Sequence, residues 1–133
     1  MANIKKTNSE LSKFVGFLHN SDIKELFEDI YLITVNVAGL DYTDDLDIIF
    51  PKIKKESYLE LFREKNNQYD DKAIVVKFEG EKIGYVPRKH NIILANLMDA
   101  GKEIYGVVSE SFIDSVYEGY EFKSVSFKIY LKG

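Results

Sequence analysis

The chain reads as a mainly β protein of the α+β class: a small, partly closed barrel of five to six strands with one inserted helix, preceded by a helical hairpin. Three observations predict it. Hydrophobic periodicity is helical up to about residue 30 and strand-like beyond it. The second part breaks into short β-branched and aromatic runs separated by Gly, Asp and Asn. Only one strongly helical stretch interrupts those runs. The expected division is an N-terminal helical extension over 1–30 and a barrel domain over 31–133.

The extension comes first. "SELSKFVGFLHNSDIKELFEDIYLI" places Leu11, Phe14, Val15 and Leu18, then Ile23, Leu26, Phe27 and Ile30, at the spacing of two amphipathic helices. Asn20, Ser21 and Asp22 between them are candidate N-caps. From Tyr31, "YLITVNVAGL" is a strand ending at Gly39, and "DYTDDLDIIFPK" is an acidic connection with a short helix or turn near Leu46 to Phe50. "YLELF" and "AIVVKF" are two strands flanking a polar loop. "FEGEKIGYVP" is a hairpin turning at Glu79 to Glu81, with Gly80 supplying backbone freedom. "KHNIILANLMDAG" is the inserted helix, with Ile93, Leu94, Leu97 and Met98 on one face and Gly101 as its stop. "EIYGVV" and "SVSFKIYL" close the barrel, the latter turning Val125, Phe127, Ile129 and Leu131 to one side.

Bulk properties exclude several function classes. The 133 residues, 45% of them hydrophobic, suffice for one core without staples. Without cysteine there is no disulfide or thiolate chemistry, and a reducing, cytoplasmic location is expected. No apolar run is long enough to span a bilayer, so no membrane partner is expected. With 18 Lys and Arg against 22 Asp and Glu, the net charge of −4 excludes a long groove tracking a nucleic-acid backbone. A local contact needs clustered cations, and "PKIKK" at 51–55 and "PRKH" at 87–90 are the two candidates.

Enzyme motifs are absent. His19 and His90 stand outside any metal-ligand spacing and read as surface or capping residues. There is no nucleophile elbow, phosphate loop or dinucleotide fingerprint, and no cofactor is expected. Asp41, Asp44, Asp45 and Asp47 lack the spacing of a calcium loop and read as a solvated acidic loop. The one enzymatic alternative is a metal-dependent, nuclease-like set of Asp114, Glu121 and Lys123.

The loop in "LFREKNNQYDDKAIVV" is longer than a hairpin turn requires, and it carries an aromatic at its centre. Asn66 and Asn67 tolerate left-handed turns and Asp70 can cap the backbone after it, so Asn66, Asn67 and Asp71 fit a structural reading. Tyr69 has two readings, a plug over the barrel end or a stacking face. Tyr85 also has two, core packing or pocket wall.

This stretch strongly resembles the HIRAN domain. The match runs through Arg63, Glu64, Asn67, Tyr69, Asp70, Ala73, Ile74 and Val76, then Gly84, Tyr85, Pro87 and Arg88, followed by a helix. "VAGLDY", Val37 to Tyr42, resembles the end of the family's first strand, so the likeness covers roughly the C-terminal three quarters of the chain. The hairpin lies outside it and resembles the extension of stand-alone bacterial members. The resemblance implies a modified OB-like barrel and a non-catalytic module that captures the 3′ end of single-stranded DNA beside DNA repair or processing proteins. It implies that Tyr69 stacks on the terminal base and that Asp70 accepts a hydrogen bond from the 3′-hydroxyl. Tyr42 would give a second aromatic face, Arg88 a phosphate contact and Asn67 a polar contact or brace, with Tyr85 in the same pocket. This chain departs from the DNA-binding eukaryotic members at Asp41, where they carry an arginine. The alternative class is a protein-interaction domain, with the pocket vestigial or repurposed and the stripe Phe14, Phe17, Leu18 or an open sheet edge meeting a partner.

Overall fold

The computed structural model describes residues 28–133. The helical hairpin and the stripe Phe14, Phe17, Leu18 lie outside the described residues, as does His19. Residues Ile30–Lys132 form one compact unit, and everything below concerns it.

Six strands make a single antiparallel sheet: β1 (Ile30–Asn36), β2 (Tyr58–Arg63), β3 (Ile74–Phe78), β4 (Glu81–Tyr85), β5 (Ile104–Tyr117) and β6 (Tyr120–Leu131). Their order across the sheet is β1-β6-β5-β2-β3-β4. The sheet curls far enough for the chain just past β1 to meet β4. Ala38 and Tyr85 exchange both backbone hydrogen bonds, at 2.8 and 2.9 Å, and this one rung joins the two edges. Closure there depends on Gly84, which sits at φ +150°. A Cβ on it would stand 2.3 Å from the Ala38 carbonyl oxygen and 2.6 Å from Val37.

Two helices accompany the sheet, the inserted one and a short one where the sequence allowed a short helix or turn. The acidic connection forms α1 (Leu46–Ile49), which runs into a 3₁₀ turn over Phe50–Lys52. The longer α2 (Asn91–Asp99) falls where the sequence places it, but its buried face is different. Asn91, Leu94 and Ala95 are buried with Met98 packed behind them, while Ile92 and Ile93 face solvent. Apolar character alone misplaces the stripe here, because a buried asparagine takes one of its positions. At the other end of the unit Ile30, whose spacing fits the second helix of the hairpin, instead opens β1 opposite Leu131.

The core lies inside the curl. Phe127, Leu59, Ile74, Ile83, Ile129, Val76 and Val125 are almost completely buried, and burial of this kind supplies the main driving force for folding. As the alternation predicts, Val125, Phe127 and Ile129 share the inner side, with Leu131 partly buried behind them. Outside, Tyr31, Tyr130, Tyr105 and Tyr58 form a cross-strand ladder with ring centroids 5.9, 5.6 and 5.6 Å apart.

The largest departure from expectation is the length of β5 and β6. They continue well past "EIYGVV" and before "SVSFKIYL" as a two-stranded ribbon closed by Glu118 and Gly119, at φ 50° and 81°. Two left-handed central residues make the mirror-image turn whose twist suits a hairpin. Glu79 and Gly80, at φ 49° and 82°, make the same turn between β3 and β4. "FEGE" and "YEGY" are thus one signal, and reading the second like the first would have found the ribbon.

Candidate functional site

Five of the six predicted site residues meet at one cleft. Asn67, Tyr69, Asp70, Tyr85 and Arg88 line a cavity of about 350 Å³ between the β2–β3 loop and the segment after β4. Tyr42 lines a neighbouring cavity of about 420 Å³ with Gly39, Asp44 and Lys82, and Tyr85 belongs to both. Tyr69 and Tyr42 are 85% and 92% exposed. Of the two cationic clusters only 87–90 reaches a cleft, through Arg88; Lys52, Lys54 and Lys55 are exposed and line neither.

The loop that presents Tyr69 is braced from within. The Asn67 side-chain oxygen accepts the backbone N–H groups of Tyr69 and Asp70, at 2.8 and 3.0 Å, and its amide donates to Glu64 Oε1 at 2.8 Å. The Tyr85 hydroxyl donates to the same Glu64 oxygen at 2.9 Å and accepts from Lys82 Nζ at 2.7 Å. The Asn67 amide, ahead of the Tyr85 hydroxyl and the Lys82 charge, holds the Glu64 carboxyl below its usual range although burial opposes this. Arg63 ties down the far side of the loop. It donates to the carbonyls of Ala73 and Asp71, at 2.7 and 2.9 Å, and forks onto both carboxylate oxygens of Asp99 at the end of α2, at 2.9 and 3.2 Å.

Asp70 is fixed just as firmly. Its Oδ1 accepts the Lys72 backbone N–H at 2.9 Å, and its Oδ2 accepts the Asn91 amide at 2.7 Å. The Lys72 N–H first, then the Asn91 amide and the charges of Arg88 and Arg63, lower its pKa against the opposing effect of burial. The result is an ionised carboxylate, held in one orientation, with lone pairs to spare. Arg88 stands 3.9 Å from Oδ2 with most of its side chain in solvent, a loose pairing that leaves its fork open to an anion.

Sequence reasoning gave no role to Glu64 as the acceptor shared by Asn67 and Tyr85, or to Asn91 behind Asp70. Asn91 is 1% exposed. A polar residue at an apolar-face position of α2 was the signal for it. His90 occupies the N-cap position of α2 but makes no side-chain capping bond there.

The remaining candidates lie elsewhere. Asp41, Asp45 and Asp47 line a separate cavity with Ile48 and Tyr120, which shares no lining residue with the Tyr69 cleft. Lys123 pairs with Asp47 at 3.2 Å, Glu121 sits opposite Val116, and Asp114 falls at an irregularity of the β5–β6 pairing. Among the described residues no group of three His, Cys, Asp or Glu side chains is placed to hold a metal ion. No helix among them is long and apolar enough to cross a membrane.

Fold and cleft together define a small antiparallel half-barrel module that presents a tyrosine face, a fixed carboxylate and an arginine at its rim. The HIRAN domain model matches residues 30–132, and the chain belongs to that family. A crystal structure of a protein from Lactobacillus plantarum is similar, with 32% identity and a TM-score of 0.59, covering 76% of this chain and 95% of that one. The crystal structure of the HIRAN domain of human HLTF shares the fold, with 23% identity and a TM-score of 0.53 over 79% of this chain and 81% of that one. An NMR structure shows the HLTF domain in its DNA-bound conformation; it is 21% identical with a TM-score of 0.47, over 78% of this chain and 80% of that one. A search of curated proteins gives no match.

Proposed function

We propose that this chain is a non-catalytic DNA-binding module that captures the 3′ end of single-stranded DNA. The observation that supports it best is the convergence, in a HIRAN domain, of an exposed Tyr69, a pre-oriented Asp70 and an open Arg88 on one cleft. Each group suits one part of a strand end. A tyrosine face stacks on any base, so the preference is for an end and not for a sequence. An ionised carboxylate accepts a hydrogen bond from a free hydroxyl and repels a phosphate. An arginine fork meets the preceding phosphate. Because Asp70 is already ionised and immobilised by Lys72 and Asn91, little ordering remains to be done on binding. Tyr42, one cavity further along past Tyr85, offers a second face to the next base. Asp44 beside Tyr42 lowers the affinity by repelling the backbone, and with the net charge of −4 weak binding is the expectation.

Fluorescence polarization of short labelled oligonucleotides tests the reading. A 3′-hydroxyl end binds, and a 3′-phosphate loses roughly five- to thousand-fold, from about 1 to 4 kcal/mol of repulsion between two charges about 4 Å apart. Equal binding of the two ends, or none at low salt, refutes end capture.

A further inference from the structure

Beyond Ser111 and before Val125 the β5–β6 ribbon leaves the sheet. β2 pairs with β5 only at Tyr105–Val107 and β1 with β6 only at Ser126–Leu131, so among the described residues no strand covers either outer edge of the ribbon. Such edges are templates for another strand, and a two-stranded ribbon alone is marginal in water. Its side chains do not blunt it. Ile113, Val116, Tyr117, Tyr120 and Phe122 are all exposed, Val116 and Tyr117 to 64% and 67%. The pairing puts Tyr117 and Tyr120 directly opposite each other, with the Tyr120 and Phe122 rings in edge contact at 4.8 Å, so one face carries a continuous aromatic strip. An apolar strip on an open edge marks an interaction surface.

Charge selects the occupant. Glu110, Asp114, Glu118 and Glu121 lie along the ribbon's strands and turn, Glu121 on the face opposite the strip, and the ribbon's single cation, Lys123, is already paired with Asp47. Tyr120 also borders the cavity lined by Asp41, Asp45 and Asp47, which extends the acidic field. A second copy of this chain would bring the same acids to the seam, and a nucleic-acid backbone or an anionic lipid surface would be repelled. We propose that the ribbon is a docking arm for an extended segment of a protein partner in which Lys or Arg alternates with aliphatic or aromatic residues. The segment adds as a strand to the open edge, its apolar side chains on the strip and its cations on the acids. Asp41 then belongs to this acidic surface and not to the Tyr69 cleft.

The test uses the full chain and a fluorescein-labelled ten-residue peptide alternating Lys with Val and Phe, followed by polarization at moderate salt. Two control peptides replace every Lys by Glu, or every Val and Phe by Ser. The Lys–apolar peptide is expected to bind saturably and the controls to bind at least about ten-fold more weakly. Val116→Lys combined with Glu121→Lys, a cross-strand pair, should weaken it by at least about ten-fold, and Tyr117→Ser by less. Tyr69→Ala should leave peptide binding unchanged. Unaltered thermal unfolding confirms that both ribbon variants fold. Equal binding of the Lys–Ser peptide, or full binding by the double variant, overturns the proposal. So does a concentration-dependent dimer in sedimentation that Tyr117→Ser abolishes, which would make a second copy the occupant.

Discussion

Tyr69, on the loop between β2 and β3, and Tyr117, at the end of β5, are both exposed tyrosines, but their settings differ. Around Tyr69 nearly every polar group is committed: Asn67 to two backbone N–H groups and Glu64, Asp70 to Lys72 and Asn91, Arg63 to the loop and to Asp99. Around Tyr117 the ribbon has strand pairing and an apolar strip, with one ion pair at Lys123. A lone aromatic on a braced polar loop suits a small ligand with a flat face and a defined end. A strip of apolar side chains along an open strand edge suits a long partner. Exposure alone does not separate these two cases; the hydrogen bonds behind the side chain do.

The largest effect should come from the rung that holds the cleft walls together. Gly84→Val forces a side chain into the Ala38 carbonyl at a φ that valine avoids, costing about 1 to 3 kcal/mol, read as a fall in Tm by circular dichroism. Oligonucleotide binding should fall with it and peptide binding to the ribbon should not, which separates the two regions directly. Tyr69→Ala comes next, weakening strand-end binding by about 1 to 3 kcal/mol with little dependence on the base, while Tm stays put. A drop in Tm without a change in binding would make Tyr69 a structural plug and break the comparison.

Asn67→Ala sharpens it, because it leaves two backbone N–H groups of the loop without their acceptor. About 1 kcal/mol of stability should go, with binding falling further as Tyr69 and Asp70 lose their fixed placement. Arg88→Ala should leave stability unchanged and flatten the salt dependence of oligonucleotide binding by roughly 0.7 in logarithmic slope, one phosphate contact on a single strand. The smallest effect is the pH dependence. Asp70 and Glu64 both have folded-state pKa values below their unfolded ones, so their contribution to stability is complete above the ordinary carboxylate range and is lost as pH falls through the lowered values. Denaturant melts should therefore show no loss from these groups down to about pH 5 and a decline in acid, a decline that Asp70→Asn reduces.

Most of the strands were legible because burial imposes alternation: Val125, Phe127 and Ile129 had to face inward together. The two Glu-Gly turns were legible in principle because few residue pairs accept two left-handed conformations. Tyr69, Asp70 and Arg88 were singled out through the family pattern, and the structure places them along one cavity. What escaped were arrangements with no period. Asn91 bonds to a carboxylate 21 residues earlier in the chain, and no local rule brings those two together. The ribbon escaped for the opposite reason: most of its side chains meet solvent, so no core selects an alternation that would extend the strands past "EIYGVV" and before "SVSFKIYL". The buried face of α2 was misjudged because Ile93 is left in water while Asn91 takes a buried position.

The sheet order sets a schedule for folding. β6 lies between β1 and β5, and Ile30 pairs with Leu131, so the first and last strands of the domain are neighbours. The β2–β3–β4 meander and the β5–β6 hairpin can form from contacts close in the chain. β1 has no strand partner until β6 arrives, and the Ala38–Tyr85 rung draws its own two edges together from opposite ends of the sheet. Such long-range pairings are slow, because the entropy of closing the chain is spent before any contact repays it. On the ribosome, β1 waits with an unpaired edge until residues 126–131 have emerged.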